Sequence, residues 1–303
     1  MKSVKIVEVT RSGEVESYHN GIAVLINSSG EILQEWGNSE KLIYPRSALK
    51  PIQSLNLYKD GVAEGLNISD EYIALTTASH HSESFHQKMI IDWLDKTNLN
   101  EDNLSCGHDW PWNLEDKFET KFKYNKKRRI FHNCSGKHCG HLVVSKYKDL
   151  PIENYNQNDH PIQKELIDLI ENLSGYNIKN IGIDGCTLPN PLIPLKKFAY
   201  AMAQIADYNK LNENSIIAKR IFDSCIKFPE ITGGTNSVNC VLTKLSKGKI
   251  FFKNGAEGVF VAIIPEQKSA LVVKIDDDKL EQLKTKPVKN SADQIIGHIK
   301  FVI

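Results

Sequence analysis

The chain has 303 residues, 41% of them hydrophobic and 25% charged, with a formal net charge of +1. That is the composition of a globular protein, and its balanced charge supplies no field for gathering nucleic acid. No apolar run of about 18 residues is present to span a membrane. The start, Met1-Lys2-Ser3-Val4-Lys5 running on to Glu8 and Arg11, lacks a signal-peptide core, so a cytoplasmic location is expected.

In chain order, Lys5–Thr10 and Ala23–Asn27 read as strands, and the turn Ser28-Ser29-Gly30 leads to a third at Glu31–Trp36. Helical spacing follows at Ser47–Leu57, whose early Pro51 sits where a missing amide proton costs least. It recurs at Glu71–Ala78, Ser84–Leu94, Pro161–Leu173, Pro194–Ala206 and Ser215–Lys227. The basic run Lys126–Arg129 reads as a solvated loop, and Pro189–Pro194 as a rigid turn rather than a domain boundary. Strand character returns at Val238–Leu245, Lys249–Phe252, Val259–Pro265 and Ser269–Ile275, with links such as Ser246-Lys247-Gly248 short enough for antiparallel hairpins. Strands at both ends with helices between predict an α+β fold: one antiparallel sheet built from the N- and C-terminal strands, with a central helical region, in a single domain over 1–303.

Three constellations carry chemistry. His132-Asn133-Cys134-Ser135-Gly136-Lys137-His138-Cys139 packs two thiols, two imidazoles, a hydroxyl and a lysine into eight residues, a density that ordinary packing does not require. With Asp184-Gly185-Cys186 it offers Cys134, His138, Cys139 and Cys186 as zinc ligands by type, or as buried free thiols. Six cysteines in a chain of this size read as free thiols or ligands rather than disulfides. Pro45–Lys50 holds Ser47 and Lys50 three apart, on one helix face, where the amine can reach the hydroxyl if its proton affinity is lowered. The same spacing at Ser145–Lys148, Ser224–Lys227 and Ser246–Lys249 shows that it marks nothing by itself. Lys253-Asn254-Gly255 is similar to the Lys-Thr-Gly element of serine β-lactamases and penicillin-binding proteins, and Thr77-Ala78-Ser79-His80-His81 supplies a second hydroxyl.

Together these motifs resemble the rhizobial-type L-asparaginases, the asparaginase II family. The resemblance runs through Val7–Gly13, Val15–Gly21, Pro45–Lys50, Ala78–His80, His132–His138, Ile183–Cys186 and Lys253–Val259, in order along the chain. It implies a serine β-lactamase-like fold, a homodimer, and hydrolysis of L-asparagine to L-aspartate and ammonia. It also implies two serine–lysine pairs, Ser47 with Lys50 and Ser79 with Lys253, and a zinc held by Cys134, Lys137 and Cys186. Arg46, His80 and Asp184 are the candidates for gripping the charged α-groups of the substrate. In Gly233–Ser237 the chain lacks the arginine that the resemblance leads one to expect there, and Cys139 and His141 stand just past the shared block. Other small amides, glutamine among them, are the competing substrates, since one methylene is worth only about 1–3 kcal/mol of discrimination.

Overall fold

The computed structural model describes residues 3–11, 14–276, 286–289 and 294–299. Ser12 and Gly13, which close the first family block, lie outside the described residues. The first strands are β1 (Val4–Arg11), β2 (Glu14–Asn27), β3 (Ile32–Trp36) and β4 (Leu42–Ile43). Helices α1 (Lys50–Tyr58), α2 (Val62–Gly65), α3 (Asp70–Thr77), α4 (Ser84–Lys96), α5 (Leu114–Lys123), α6 (Ser135–Tyr147) and α7 (Pro161–Ser174) follow. The short strands β5 (Ile181–Ile183), β6 (Pro189–Pro191) and β7 (Ile193–Pro194) precede α8 (Leu195–Ala206), α9 (Ser215–Lys227), α10 (Pro229–Gly233) and α11 (Val238–Leu245). The chain then returns to strand in β8 (Phe251–Asn254), β9 (Val259–Ile264) and β10 (Ser269–Asp276), with a further pair β11 (Lys286–Lys289) and β12 (Ile295–Ile299).

The main sheet has the order β1-β2-β10-β9-β8, and β3 pairs beside β1 on the same edge of the long β2. Every pairing in it is antiparallel, so strands from both termini do close one α+β sheet around a helical centre. Alternate residues Ile22, Val24 and Ile26 of β2 are buried with Val261, Ile263, Ala270 and Val272, giving the sheet one apolar face. Helix α8 covers that face, contacting β2, β9 and β10, and its Ala199, Ala203 and Ala206 are buried. Behind it lies α1, buried along all nine of its residues and wrapped by α3, α6, α7 and α9. A helix enclosed on every side turns whatever polar residues it carries inward. Here those include Lys50.

Four expectations change. Val238–Leu245 is a helix, not a strand: its β-branched residues suggest extension, but the buried set Asn239, Cys240 and Thr243 follows helical spacing. The Ser237 hydroxyl caps it by accepting from the Cys240 amide at 3.2 Å. Ser246-Lys247-Gly248 therefore joins a helix to β8 rather than turning a hairpin, with Lys247 and Gly248 both left-handed. Pro189–Pro194 is extended, laced to β5 through β6 and to β4 through β7. The basic run is only partly solvated: Lys126 and Lys127 are exposed, whereas Arg128 is salt-bridged to Glu101 at 2.7 Å.

Candidate active site

Ser47 lies in a single 3-10 turn, Arg46–Leu49, that leads directly into α1. Arg46 holds a left-handed φ of 55°, an uncommon state for a side chain of its size. Its amide donates to Asn190 Oδ1 at 3.2 Å and its Nε donates to Asp184 Oδ1 at 2.5 Å, so two partners fix the bend. Strain of this kind, of order 1–3 kcal/mol, persists where the surroundings over-determine it. The turn is also approached by the end of β8. A Cβ on Gly255 would stand 2.5 Å from the Pro45 carbonyl oxygen, so only glycine permits that distance.

The structure brings Lys50, Ser79 and Lys253 together. Lys253 Nζ stands 2.7 Å and Lys50 Nζ 2.9 Å from Ser79 Oγ, and Lys50 also donates to the Ala78 carbonyl. Ser79 is placed by its own amide, which donates to Thr232 O at 2.9 Å, and by the His80 amide, which donates to Asn133 O at 3.1 Å. Ser47 sits one helical turn before Lys50, half-buried, and makes no side-chain hydrogen bond among the described residues. Ser79, at 7% exposure, is the enclosed hydroxyl and Ser47 the accessible one.

Both lysines are buried, and burial pushes each below the ordinary lysine range. The effect is larger on Lys253, where the neighbouring Lys50 charge adds to it. Both amines are therefore driven toward the neutral form that can accept a proton. His80 is neutral for the same reason, first burial and then the His86 and Lys50 charges. Its Nδ1 accepts from the Ser82 amide at 3.1 Å, so Nε2 carries the proton and donates to Ser135 Oγ at 3.0 Å. With both nitrogens engaged, His80 braces the Ser79 loop against α6.

A second centre lies beside the first. Lys137 Nζ donates to Cys186 Sγ at 3.0 Å, and Cys186 Sγ is 3.4 Å from Asp184 Oδ2. The Cys134 thiol is pushed well down, chiefly by a hydrogen bond from Cys186, with Lys50 and Lys137 assisting against burial. The Cys186 thiol is pushed up by giving that bond and by burial. Burial alone would lower Lys137, but the Cys186 and Cys134 sulfurs and Asp184 outweigh it and raise its proton affinity. Among the described residues no three His, Cys, Asp or Glu side chains gather in the geometry of a metal site. Two sulfurs and an amine do converge here, buried, and that donor set fits zinc chemically once Lys137 gives up its proton. His138 and Cys139, candidates by type, point to other partners: His138 Nδ1 pairs with Tyr155 Oη at 2.6 Å and Cys139 is buried in the core. His141 Nδ1 bonds back to Lys137 O at 3.0 Å. All six cysteines are free and buried.

Two residues at the site carry no signal in sequence. Asn190 holds the Arg46 bend, and Asn239 reaches Asn254, next to Lys253, at 2.7 Å. The profile of the L-asparaginase II family matches residues 7–299. No curated protein sequence matches the chain. Among solved structures, a β-lactamase from Mycobacterium bovis is similar at 14% identity and a TM-score of 0.41, over 85% of this chain and 88% of that one.

Proposed function

The chain belongs to the L-asparaginase II family, and on that premise we propose that it hydrolyses the side-chain amide of L-asparagine by serine–lysine acyl transfer. The observation that carries this reading is the convergence of two lysines, both driven toward neutrality, on the buried Ser79 hydroxyl, one of them Lys50, three residues after the accessible Ser47. Ser47 attacks the amide carbon and its proton passes to Lys50. The Ser47 amide, in the first turn of its helix, would donate to the oxyanion. Collapse of the tetrahedral intermediate takes a proton from Lys50 by way of Ser79 and Lys253 to the departing ammonia, and water then releases aspartate. Arg46 and Asp184, paired at the mouth of the turn, offer a cation and a carboxylate to the α-groups of the substrate.

Cys134, Lys137 and Cys186 would hold zinc, which when bound would supply a fixed positive charge for positioning substrate. In the same reading the enzyme is a cytoplasmic homodimer of single-domain subunits. Among the described residues no helix is long and apolar enough to cross a membrane. The test is ammonia release by the purified, zinc-loaded protein with L-asparagine and L-glutamine in parallel. Preference for asparagine supports the reading. Turnover of glutamine alone transfers the chemistry to the longer amide, and silence on both from folded protein rejects it.

A further inference from the structure

The amine of Lys253 has three polar neighbours: Ser79 Oγ at 2.7 Å, the Asn254 carbonyl oxygen at 2.9 Å and Asn254 Oδ1 at 3.2 Å. A neutral amine has two N–H donors and one lone pair, and the three neighbours are not equivalent. A carbonyl oxygen only accepts. The Asn254 side chain accepts as well, provided that its oxygen and not its nitrogen faces the lysine. Which atom faces the lysine is settled one residue further out. The Asn254 backbone amide donates to Asn239 Oδ1 at 2.9 Å, and a backbone N–H can only donate. That fixes the orientation of the Asn239 amide, so its Nδ2 is the group that meets Asn254, at 2.7 Å. Nδ2 is a donor, so its partner must be the Asn254 oxygen. Asn254 Oδ1 is thereby held toward Lys253.

We propose that Asn239, on α11, is a positioning residue for Lys253: by holding the Asn254 amide with its oxygen toward the amine, it turns the Lys253 lone pair onto Ser79. Both N–H groups of Lys253 then point at Asn254, and the Ser79 hydroxyl donates its proton toward the lone pair. Ser79 keeps its own lone pairs free to accept from Lys50, so one direction of hydrogen bonding runs from Lys50 through Ser79 to Lys253. Without the clamp the Asn254 side chain can rotate its nitrogen toward the lysine, and the lone pair is drawn away from Ser79. The burial that drives Lys253 toward its neutral form supports this arrangement, because a protonated lysine would donate to all three neighbours and have no orientation to set. Asn239 is itself 2% exposed and sits in the first turn of a capped helix, a rigid platform for such a clamp.

The inference about direction rests on the proposed serine–lysine chemistry, whereas the clamp does not, and the test separates them. In protein labelled with 15N-lysine, the Lys253 Nζ resonance is assigned with Lys253→Met. It should move in Asn239→Ala as it does in Asn254→Ala, and no further in the double variant. An Nζ resonance unmoved by Asn239→Ala overturns the clamp whatever the substrate proves to be. In ammonia release from L-asparagine, each single variant should lose about tenfold or more in kcat with KM unchanged, the range in which mispositioned catalytic groups fall. The double variant should lose no more than Asn254→Ala alone. Additive losses, or a loss that follows thermal stability instead, would make Asn239 a packing residue. A wild-type protein that releases no ammonia while the Nζ resonance behaves as expected would fail the functional reading and leave the clamp standing.

Discussion

Lys253 and Lys137 are both buried, at 0% and 1% exposure, and their proton affinities are driven in opposite directions. Around Lys253 the contacts are a serine hydroxyl, an amide oxygen and a carbonyl, each able to accept a hydrogen bond and none charged. The Cys134 and Cys225 sulfurs nearby do not offset the desolvation of an ammonium, and the Lys50 charge opposes it further. Around Lys137 are Cys186 at 3.0 Å, the low-affinity Cys134 thiol and Asp184, which together outweigh the same desolvation. Burial by itself does not make a lysine a base. The charge of its neighbours decides, and this chain places both outcomes in adjoining centres.

Lys253→Met breaks the first half of the comparison most directly. Loss of a base in contact with Ser79 should lower kcat by about 10²–10⁴, the usual range for one acid–base group. Thermal stability should hold or rise, because an amine without an anionic partner gives way to an apolar chain of similar length. Loss of activity accompanied by a large drop in melting temperature would instead make Lys253 a structural cation like Lys137. Lys137→Met should do the reverse. In metal-free protein it strands the Cys134 thiolate, Asp184 keeping its Arg46 partner, and removing one partner of a buried ion pair costs about 3–5 kcal/mol, read by urea unfolding. A loss below about 1 kcal/mol would mean that the sulfurs beside it carry no charge.

Zinc should erase the difference between the two lysines. Cys134 is already driven toward thiolate, so binding must displace one proton from Lys137 and one from the Cys186 thiol. With two protons released, affinity should weaken by about 100-fold for each unit of falling pH, checked by calorimetry in buffers of different ionisation heat. Binding without proton release would exclude Lys137 as a ligand. A smaller effect concerns stability. Lys253 is lowered in the folded state, so over the interval between its folded pKa and the unfolded value of about 10.4 the unfolded chain binds more protons. Stability from this group therefore rises with pH across that interval, by at most about 1.4 kcal/mol per unit, and is lost as pH falls. The difference between wild type and Lys253→Met should carry that slope, and parallel curves would contradict the shift.

Much of this was legible in the sequence, for reasons that can be traced to particular residues. The run Ile22–Ile26 is apolar throughout and bounded by a turn, and α7 and α9 keep their helical spacing, so those elements end within a residue of expectation. The start of β2 at Glu14 was not legible, because the polar stretch through Asn20 lacks an apolar face and owes its extension to pairing with β1. At the site, the family resemblance pointed to Ser47, Ser79 and the lysines, while geometry alone shows that Lys50 bonds to Ser79. Asparagine has no such signature. Asn190 and Asn239 act through amide orientation, and that is a property of the assembled structure.

The misread segment supplies the smallest and most local test. Helix α11 starts where Ser237 Oγ accepts from the Cys240 amide at 3.2 Å, and Asn239 sits between those two residues. Ser237→Ala removes the cap and should cost about 1 kcal/mol of stability by urea unfolding. It should leave kcat within about twofold, because Asn239 is held a second time, by its two hydrogen bonds to Asn254 on β8. A kcat loss as large as that of Asn239→Ala, with global stability retained, would show that fraying of one helical turn is enough to release Lys253. The strand contact would then be the weaker of the two supports, and the neutral lysine would depend on a helix end as much as on its own burial.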